Sequence, residues 1–473
     1  MKLGTLLGND GGPTVTGFAI DHRKVAPGTI FGAFEGATVN GEDFIPAAIA
    51  AGAIAVVARP EAVVQGALHI ADRNPRERFA RLAAAFFAPF PETAVAVTGT
   101  NGKTSTVELT RQLWRMQGHH AASIGTLGVT TADDRVSTGL TTPDIVTFLS
   151  NVAGLAREGV THLAFEASSH GLSQYRTEGV PVRAAAFTNL SRDHLDYHGD
   201  MATYFTAKLR LFSEVLDPDG TAVVWVDDPY SDRVIDLVRM RGNRLLTVGQ
   251  HGETLRLVGR DPTLLGQALT IEAEGATHKV NLPLIGAYQA ANALTAAGLV
   301  LATGGDLKAT LAGLSRLQPV RGRLERAVIT RSGAPVYVDY AHTPDAIEAA
   351  IAALKPHAAG RLIVVVGAGG DRDTGKRKPM GAAAAAGADV VIVTDDNPRG
   401  EDPARIRAQV LEGAPGAREI GGRRDAIAAA IAEAGPEDIV LLAGKGHEQG
   451  QIVGDLVLPF DDVAVARECA GAV

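Results

Sequence analysis

Short apolar runs recur along the chain, separated by segments of helical period and by turns rich in Gly and Pro. Near the N-terminus the runs Thr16 to Ile20, Thr29 to Ala33, Ile54 to Val57 and Ala67 to Ile70 predict strands, and Pro75 to Phe87 predicts a helix. Pro89, Pro91 and Glu92 then punctuate the chain. Beyond them Ala94-Val95-Ala96-Val97, Leu163 to Glu166 and Ala184 to Thr188 predict strands that alternate with helices. A second break falls at Gln318-Pro319-Val320-Arg321-Gly322. After it strands are predicted at Val336 to Tyr340, Arg361 to Gly367, Val390 to Thr394 and Ile439 to Ala443, with helices of Ala, Ile and Leu between them. The pattern is that of an α/β chain in three units. Residues 1–88 form a small α/β unit and 89–317 a central unit on a mostly parallel sheet. Residues 318–473 form a doubly wound, Rossmann-like unit whose ligands belong at the carboxyl ends of its strands.

A length of 473 residues exceeds what one hydrophobic core usually organises, in keeping with three units. Hydrophobic residues make up 46% and charged ones 21%, which places the chain among folded globular proteins. The 45 Lys and Arg are outnumbered by 53 Asp and Glu, a net charge of −8. Neither nucleic acid nor an anionic membrane is attracted globally, so an anionic substrate needs a local basic pocket. The single Cys469 excludes an internal disulfide, and Met1-Lys2-Leu3-Gly4 lacks the apolar run of a signal peptide. Stretches such as Gly381 to Ala386 are interrupted short of the ~18 apolar residues of a membrane span. The cytoplasm is the expected compartment.

The strand ending at Val97 runs into Thr98-Gly99-Thr100-Asn101-Gly102-Lys103-Thr104-Ser105 and then a helix with Val107, Thr110, Leu113 and Trp114 on its apolar face. Strand, glycine turn and helix start aim backbone N–H groups and a helix dipole at one point, where Lys103 adds a full charge. Because Val97 stands where a common P-loop has its first glycine, the loop is tighter than the usual form. Its expected occupant is a nucleoside triphosphate.

Other polar groups gather at strand ends. Glu166 precedes Ala167-Ser168-Ser169-His170-Gly171, and its carboxylate suits Mg²⁺, although taken alone the same residues read more readily as a polar turn with serine caps. Thr188 to Gly199 packs Asp193, His194, Asp196 and His198 into one turn, fit for metal or proton handling or for structural bonds alone. Lys208 follows on a helix, where a lysine is ordinarily solvated. In the last unit the strands end in Asp339-Tyr340-Ala341-His342, Gly367 to Asp373, Asp395-Asp396-Asn397-Pro398-Arg399 and Gly444-Lys445-Gly446-His447-Glu448. Any one of these is readable as a capped loop, and Asp402 before Pro403 looks like a helix cap. Together they predict a zwitterion-binding pocket beside a nucleotide.

The ordered set TGTNGKTS, EASSHGL, TNLSRDHLDYHG with a following helical lysine, GRLE, DYAHTPD, GGDRD, DNPR and GKGHE resembles the bacterial Mur ligases, and within them the tripeptide synthetases. The resemblance implies an ATP-dependent, amide-forming ligase of peptidoglycan precursor synthesis. It would add meso-2,6-diaminopimelate to UDP-N-acetylmuramoyl-L-alanyl-D-glutamate through an acyl phosphate, as a monomer needing no partner beyond its small-molecule substrates. It implies that Gly99, Thr100, Asn101, Gly102, Lys103, Thr104 and Ser105 cradle ATP, with Asn292, Arg323 and Asp339 at the adenosine. Thr104, Glu166, His194 and a carbamylated Lys208 would hold Mg²⁺, and Lys103, Glu166, His194 and Lys208 would be the catalytic groups. Thr141, Thr142, Ser168, Gln174 and Arg176 would bind the muramoyl-dipeptide.

Two positions depart from the family pattern. Gln289 replaces one of the usual pair of asparagines around Asn292, and His22 replaces a serine at the uridine turn, where Asn40 to Phe44 wraps the nucleotide. The DNPR tetrad points to diaminopimelate, whose distal carboxylate Arg399 and Arg372 would pair with, while Asp396, Asn397, Gly444 and Glu448 complete the pocket. L-Lysine is the alternative amino acid. A folylpolyglutamate-type ligase is the rival enzyme, and a nucleotide switch, lacking any NKxD motif, the rival from another class.

Overall fold

The computed structural model describes residues 1–36, 39–132, 134–136, 139–263 and 266–471. Strands Gly17–Ala19, Thr29–Gly32, Ala53–Ala58 and Leu68–Ala71 pair in sequence order as one parallel sheet. Helix Pro75–Phe87 covers one face of it with Phe79, Ala80, Leu82 and Ala83. Proline at its first position has no N–H to lose, and the Asn74 side chain accepts from Glu77 N, so both signals of a helix start are met. The apolar face of this helix belongs to one continuous core that also includes Phe148, Phe165, Phe187 and Phe205 under the next sheet.

That second sheet has eleven strands. Its parallel heart runs, in spatial order, Arg244–Gly249, Leu216–Trp225, Val182–Phe187, Thr93–Thr98, His162–Glu166 and Ala121–Gly125. The strand feeding the glycine loop therefore lies deep inside the sheet, fully buried from Ala94 to Val97. Helix Lys103–Met116 packs on it through Val107, Thr110, Leu113 and Trp114, all buried as their spacing predicts, and helix Ala287–Ala302 lies beside it.

The sheet is less uniformly parallel than the alternation of helices and strands suggests. Leu255–Thr263, Gly266–Ala273 and Ala276–Leu282 form an antiparallel meander at one edge, and Gly128–Thr130 with Arg135–Val136 does so at the other. Along Gly266–Ala273 burial nearly alternates, the mark of a sheet with one wet face. Its hairpin to Ala276 turns on Glu274 and Gly275, both at positive φ (49° and 75°), so a Glu occupies a place where Asn or Asp would have signalled the turn.

The third sheet runs Glu325–Ile329, Pro335–Asp339, Ile439–Ala443, Leu362–Val366, Val390–Val393 and Arg418–Glu419, parallel except at the first pair. The late strand Ile439–Ala443 inserts between earlier ones, which brings the four polar strand ends side by side. Both faces have their own cores. Beneath them Arg423 and Asp462, both with fully buried side chains, form a two-pronged pair at 2.8 and 2.6 Å, and Arg423 also donates to Ala443 O at 2.9 Å. Among the described residues no helix is long and apolar enough to cross a membrane.

Candidate functional site

The glycine loop is shaped by what surrounds it. Gly102 caps the helix start at φ 85°, and a Cβ there would collide with Asn292 Oδ1; one at Gly99 would collide with Thr188 Oγ1. Asn189 Oδ1 accepts from Asn101 N at 2.9 Å while its amide nitrogen donates to Asn101 O at 3.1 Å, and Thr188 Oγ1 donates to the same carbonyl at 2.7 Å. The backbone is thus pinned from the neighbouring strand end, leaving a cradle only glycine permits.

Two lysines meet at that loop. Lys103 Nζ donates to Gly99 O and Thr100 O at 2.9 and 2.8 Å, and Lys208 Nζ donates to Gly99 O at 2.6 Å. Lys208 is 1% exposed and lies 4.4 Å over the Tyr204 ring, so the ordinary expectation of a solvated helix lysine fails here. Burial and the charge of Lys103 hold the Lys208 amine well below its usual range, and burial lowers Lys103 as well.

Thr104, Glu166, Ser168, His194 and Lys208 line a cavity of about 390 Å³ together with the glycine loop, Asn292, Arg323 and Asp339. Glu166 Oε1 accepts from Thr126 N at 2.7 Å and Oε2 from Thr126 Oγ1 at 3.2 Å. Thr141 shares that hydroxyl at 3.0 Å, and Thr142 Oγ1 donates to Glu166 O at 2.8 Å. Ser168 does cap a helix, accepting from Gly171 N at 3.0 Å, so the capping and the site readings of that turn are compatible. Arg176 donates to Gln174 Oε1 at 2.6 and 3.1 Å and to Thr142 O at 2.9 Å, tying the predicted dipeptide contacts into one network.

His194 sits at φ 54° beside Asp193, and burial keeps its imidazole neutral below its usual range, the state a metal ligand needs. Among the described residues no three His, Cys, Asp or Glu are grouped to hold a metal by themselves. The donors that the resemblance assigns to an ion are one carboxylate, Glu166, one hydroxyl, Thr104, and one imidazole, His194, in a cavity that Asp193, Asp228, Asp339, Asp345 and His342 also line. Asp193 also faces His342 at 3.9 Å and Lys376 at 4.0 Å, and Arg192 faces Asp373 at 3.6 Å. These contacts, like Arg323 Nη2 on Thr104 Oγ1 at 3.0 Å, draw the last unit against the central one.

Gln289 Nε2 donates to Arg323 O at 3.2 Å, so the substituted amide holds Arg323, expected at the adenosine, through its backbone. Asp339 accepts from Leu324 N at 2.7 Å and Tyr288 OH at 3.3 Å, yet burial outweighs these bonds and the Arg323 charge and lifts its carboxyl to about 6. A carboxyl raised above its unfolded value of about 3.9 holds its proton better in the folded state, so stability falls as pH rises from about 4 to about 6. Asp339→Asn is expected to remove about 2 to 3 kcal/mol of that loss, read as unfolding free energies from urea titrations across this range. An unchanged slope would show that Asp339 titrates normally.

In the last unit Lys445 is the residue that reading the sequence did not single out as a site residue. Its fully buried ammonium donates to Asn397 Oδ1 at 3.0 Å, Glu448 Oε2 at 3.2 Å and Asp396 Oδ1 at 3.5 Å. Asp396 and Glu448, expected to complete the pocket, thus share one internal cation within it. The signal was present in Gly444-Lys445-Gly446, with both glycines at positive φ burying the lysine between them. Arg399 Nη1 donates to Gly370 O at 2.9 Å, Asn397 Nδ2 to Glu448 at 2.8 Å, and Arg372 is exposed. Tyr340, 4.6 Å under the Arg323 guanidinium and 5.0 Å from the His447 ring, joins this pocket to the cavity.

At the opposite end, His22 stacks on Phe44 with ring centroids 4.4 Å apart and planes 3° from parallel. The two segments assigned to the uridine thus meet, and the histidine that departs from the family pattern supplies a flat aromatic surface.

A phosphate-loop arrangement in the parallel heart of the central sheet, two lysines meeting at it, and a doubly wound unit packed against it are the build of a nucleotide-binding enzyme. Three family models cover the chain: the Mur ligase family catalytic domain over residues 14–87, the Mur ligase middle domain over 97–300, and the Mur ligase glutamate ligase domain over 322–446. Two relatives carry the name UDP-N-acetylmuramoyl-L-alanyl-D-glutamate--2,6-diaminopimelate ligase. The one from Zymomonas mobilis subsp. mobilis is 62% identical over 96% of this chain and 94% of its own. The one from Bradyrhizobium diazoefficiens is 51% identical over the whole of both. A solved structure of a ligase of the same name superposes with a TM-score of 0.71 at 35% identity, covering 98% of this chain and 95% of that one. The chain belongs to the Mur ligase family.

Proposed function

We propose that the chain uses ATP to join an amine of meso-2,6-diaminopimelate to the D-glutamate side-chain carboxylate of UDP-N-acetylmuramoyl-L-alanyl-D-glutamate. Residues 1–88 are read as the unit for the UDP end, 89–317 for ATP and 318–473 for the amino acid. The observation that carries this reading is the single cavity where Lys103, Glu166 and Lys208 meet Arg323 and Asp339, linked through Tyr340 and His447 to the Asn397–Arg399–Glu448 pocket.

The carboxylate oxygen attacks the γ-phosphorus of ATP and ADP leaves. The amine then adds to the acyl carbon, and the tetrahedral intermediate expels phosphate. Lys103 and the loop N–H groups orient the triphosphate and meet its charge. Glu166, Thr104 and the neutral His194 suit a magnesium ion, a hard cation that supplies charge neutralisation at the phosphates. Lys208 suits the carbamate the family resemblance implies: only an unprotonated amine takes up CO₂, and burial favours that form. The joined units keep water from the acyl phosphate.

Phosphate release with ATP, Mg²⁺ and UDP-N-acetylmuramoyl-L-alanyl-D-glutamate tests the reading. Release with meso-diaminopimelate and not with L-lysine is expected. Release with L-lysine would overturn the amino-acid choice, and no release with either would overturn the substrate assignment.

A further inference from the structure

The helix Pro75–Phe87 brings a second arginine to the cleft that holds Arg176. Asn74, which caps that helix, donates from Nδ2 to Tyr175 OH at 2.6 Å, across the boundary between the first and the central sheet. Arg76 in its first turn lies 4.9 Å over the Phe34 ring and gives one N–H to Glu35 O at 2.8 Å. Arg176, next to Tyr175, gives its N–H groups to an amide and a backbone carbonyl. Among the described residues neither guanidinium forms an ion pair with a carboxylate.

The groups whose charges bear on Arg76 are the Tyr197 hydroxyl and Arg176 itself, and burial disfavours the charged form of both arginines. Two part-buried cations drawn near each other at the Asn74–Tyr175 bond, with Asp144 the one carboxylate whose charge bears on Arg176 and none bearing on Arg76, are an unfavourable arrangement that an anionic ligand would complete. Their place along the molecule indicates which ligand. Phe34, under the Arg76 guanidinium, accepts through its carbonyl from Gly41 N at 2.8 Å in the segment that leads to the His22–Phe44 stack, and Arg176 donates to the carbonyl of Thr142, whose hydroxyl accepts from Ser168 N at 3.1 Å. In a UDP-sugar-peptide the diphosphate is the anion between the uridine and the sugar.

We propose that Arg76 is a substrate-binding residue that, with Arg176, grips the diphosphate of the UDP-linked substrate across the cleft between the first and central units. This rests on the functional reading above. Helix packing preorganises it: the Asn74–Tyr175 bond fixes the approach of the two loops, so little side-chain order is lost on binding.

The test compares wild type, Arg76→Gln and Arg76→Lys in direct binding of UDP-N-acetylmuramate, which has the diphosphate but no dipeptide, and of the full dipeptide substrate, at two salt concentrations. Arg76→Gln is expected to weaken both ligands about 10- to 100-fold, with a shallower salt dependence, and Arg76→Lys to recover part of the loss by keeping charge without the fork. In turnover KM for the UDP substrate should rise while kcat and the KM for ATP stay within about threefold, a split that a merely structural role would not give. Equal affinities in wild type and Arg76→Gln would overturn the proposal. A loss confined to the dipeptide substrate would overturn the diphosphate assignment in favour of a carboxylate. Wild-type turnover of the full substrate reports separately on the functional reading.

Discussion

Replacing Lys103 by methionine is expected to lower kcat/KM for phosphate release by about 10³-fold or more, the scale of losing a preorganised charge at a transferring phosphoryl group. The structure explains why so much should hang on one ammonium. Its Nζ is held 2.8 to 2.9 Å from two loop carbonyls and, among the described residues, makes no ion pair, so its charge is spent on the loop's own dipoles until phosphate oxygens arrive. Methionine keeps the length and packing of the stem but cannot meet that charge. Because burial already disfavours the Lys103 cation, removing it relieves a desolvation cost, and the melting temperature should hold or rise. The Lys208 amine should also move back toward its ordinary range, since the Lys103 charge is one of the two causes of its depression. A variant that keeps more than a tenth of the wild-type kcat/KM would show that the loop positions ATP without Lys103.

Arg399→Ala should lower kcat/KM for meso-diaminopimelate by about 10³- to 10⁴-fold and leave the low activity with L-lysine nearly unchanged, collapsing the preference between them. Arg399 is held at unusual backbone cost, at φ 52°, with its N–H on Ile452 O at 3.0 Å and its carbonyl accepting from Gly454 N at 2.7 Å. The hairpin strand Gly450–Val453 thereby fixes where the guanidinium begins. Its side chain donates to Gly370 O at 2.9 Å, which leaves the rest of the fork for a distal carboxylate. Lysine offers no such group and leaves those donors unpaired. Kinetics with both amino acids decide the matter: an unchanged ratio would place diaminopimelate selection elsewhere, with Lys445 and Glu448 the next residues to vary.

The parts of the fold legible in the sequence are those where local pattern and tertiary setting agree. Helix Pro75–Phe87 begins and ends where its proline and its apolar spacing place it, and Asp402 caps its helix by accepting from Ala404 N, as the Asp-Pro pair suggests. The strand to Thr98 and its glycine loop announce themselves because only glycine tolerates what Asn292 and Thr188 place beside the backbone. The antiparallel edges of the central sheet were hidden for the opposite reason, since Glu274 adopts a positive φ that its side chain does not advertise. The burial of Lys208 was not legible from its helix alone, and Lys445 was passed over as a site, because a lysine's burial depends on distant partners, a carbonyl 109 positions away in one case and a turn 48 positions away in the other.

The first sheet and the underside of the central sheet share one unbroken hydrophobic core, whereas the third sheet has cores of its own. A shared interior of close-packed side chains resists sliding and bending far more than a polar seam does. The stretch from the His22–Phe44 stack to the glycine loop therefore keeps a fixed length, while the third sheet meets it through side-chain contacts such as Asp193 with His342 and Lys376. Donors that are one residue too short or too long would be refused by distance alone, before any chemistry is attempted at the loop.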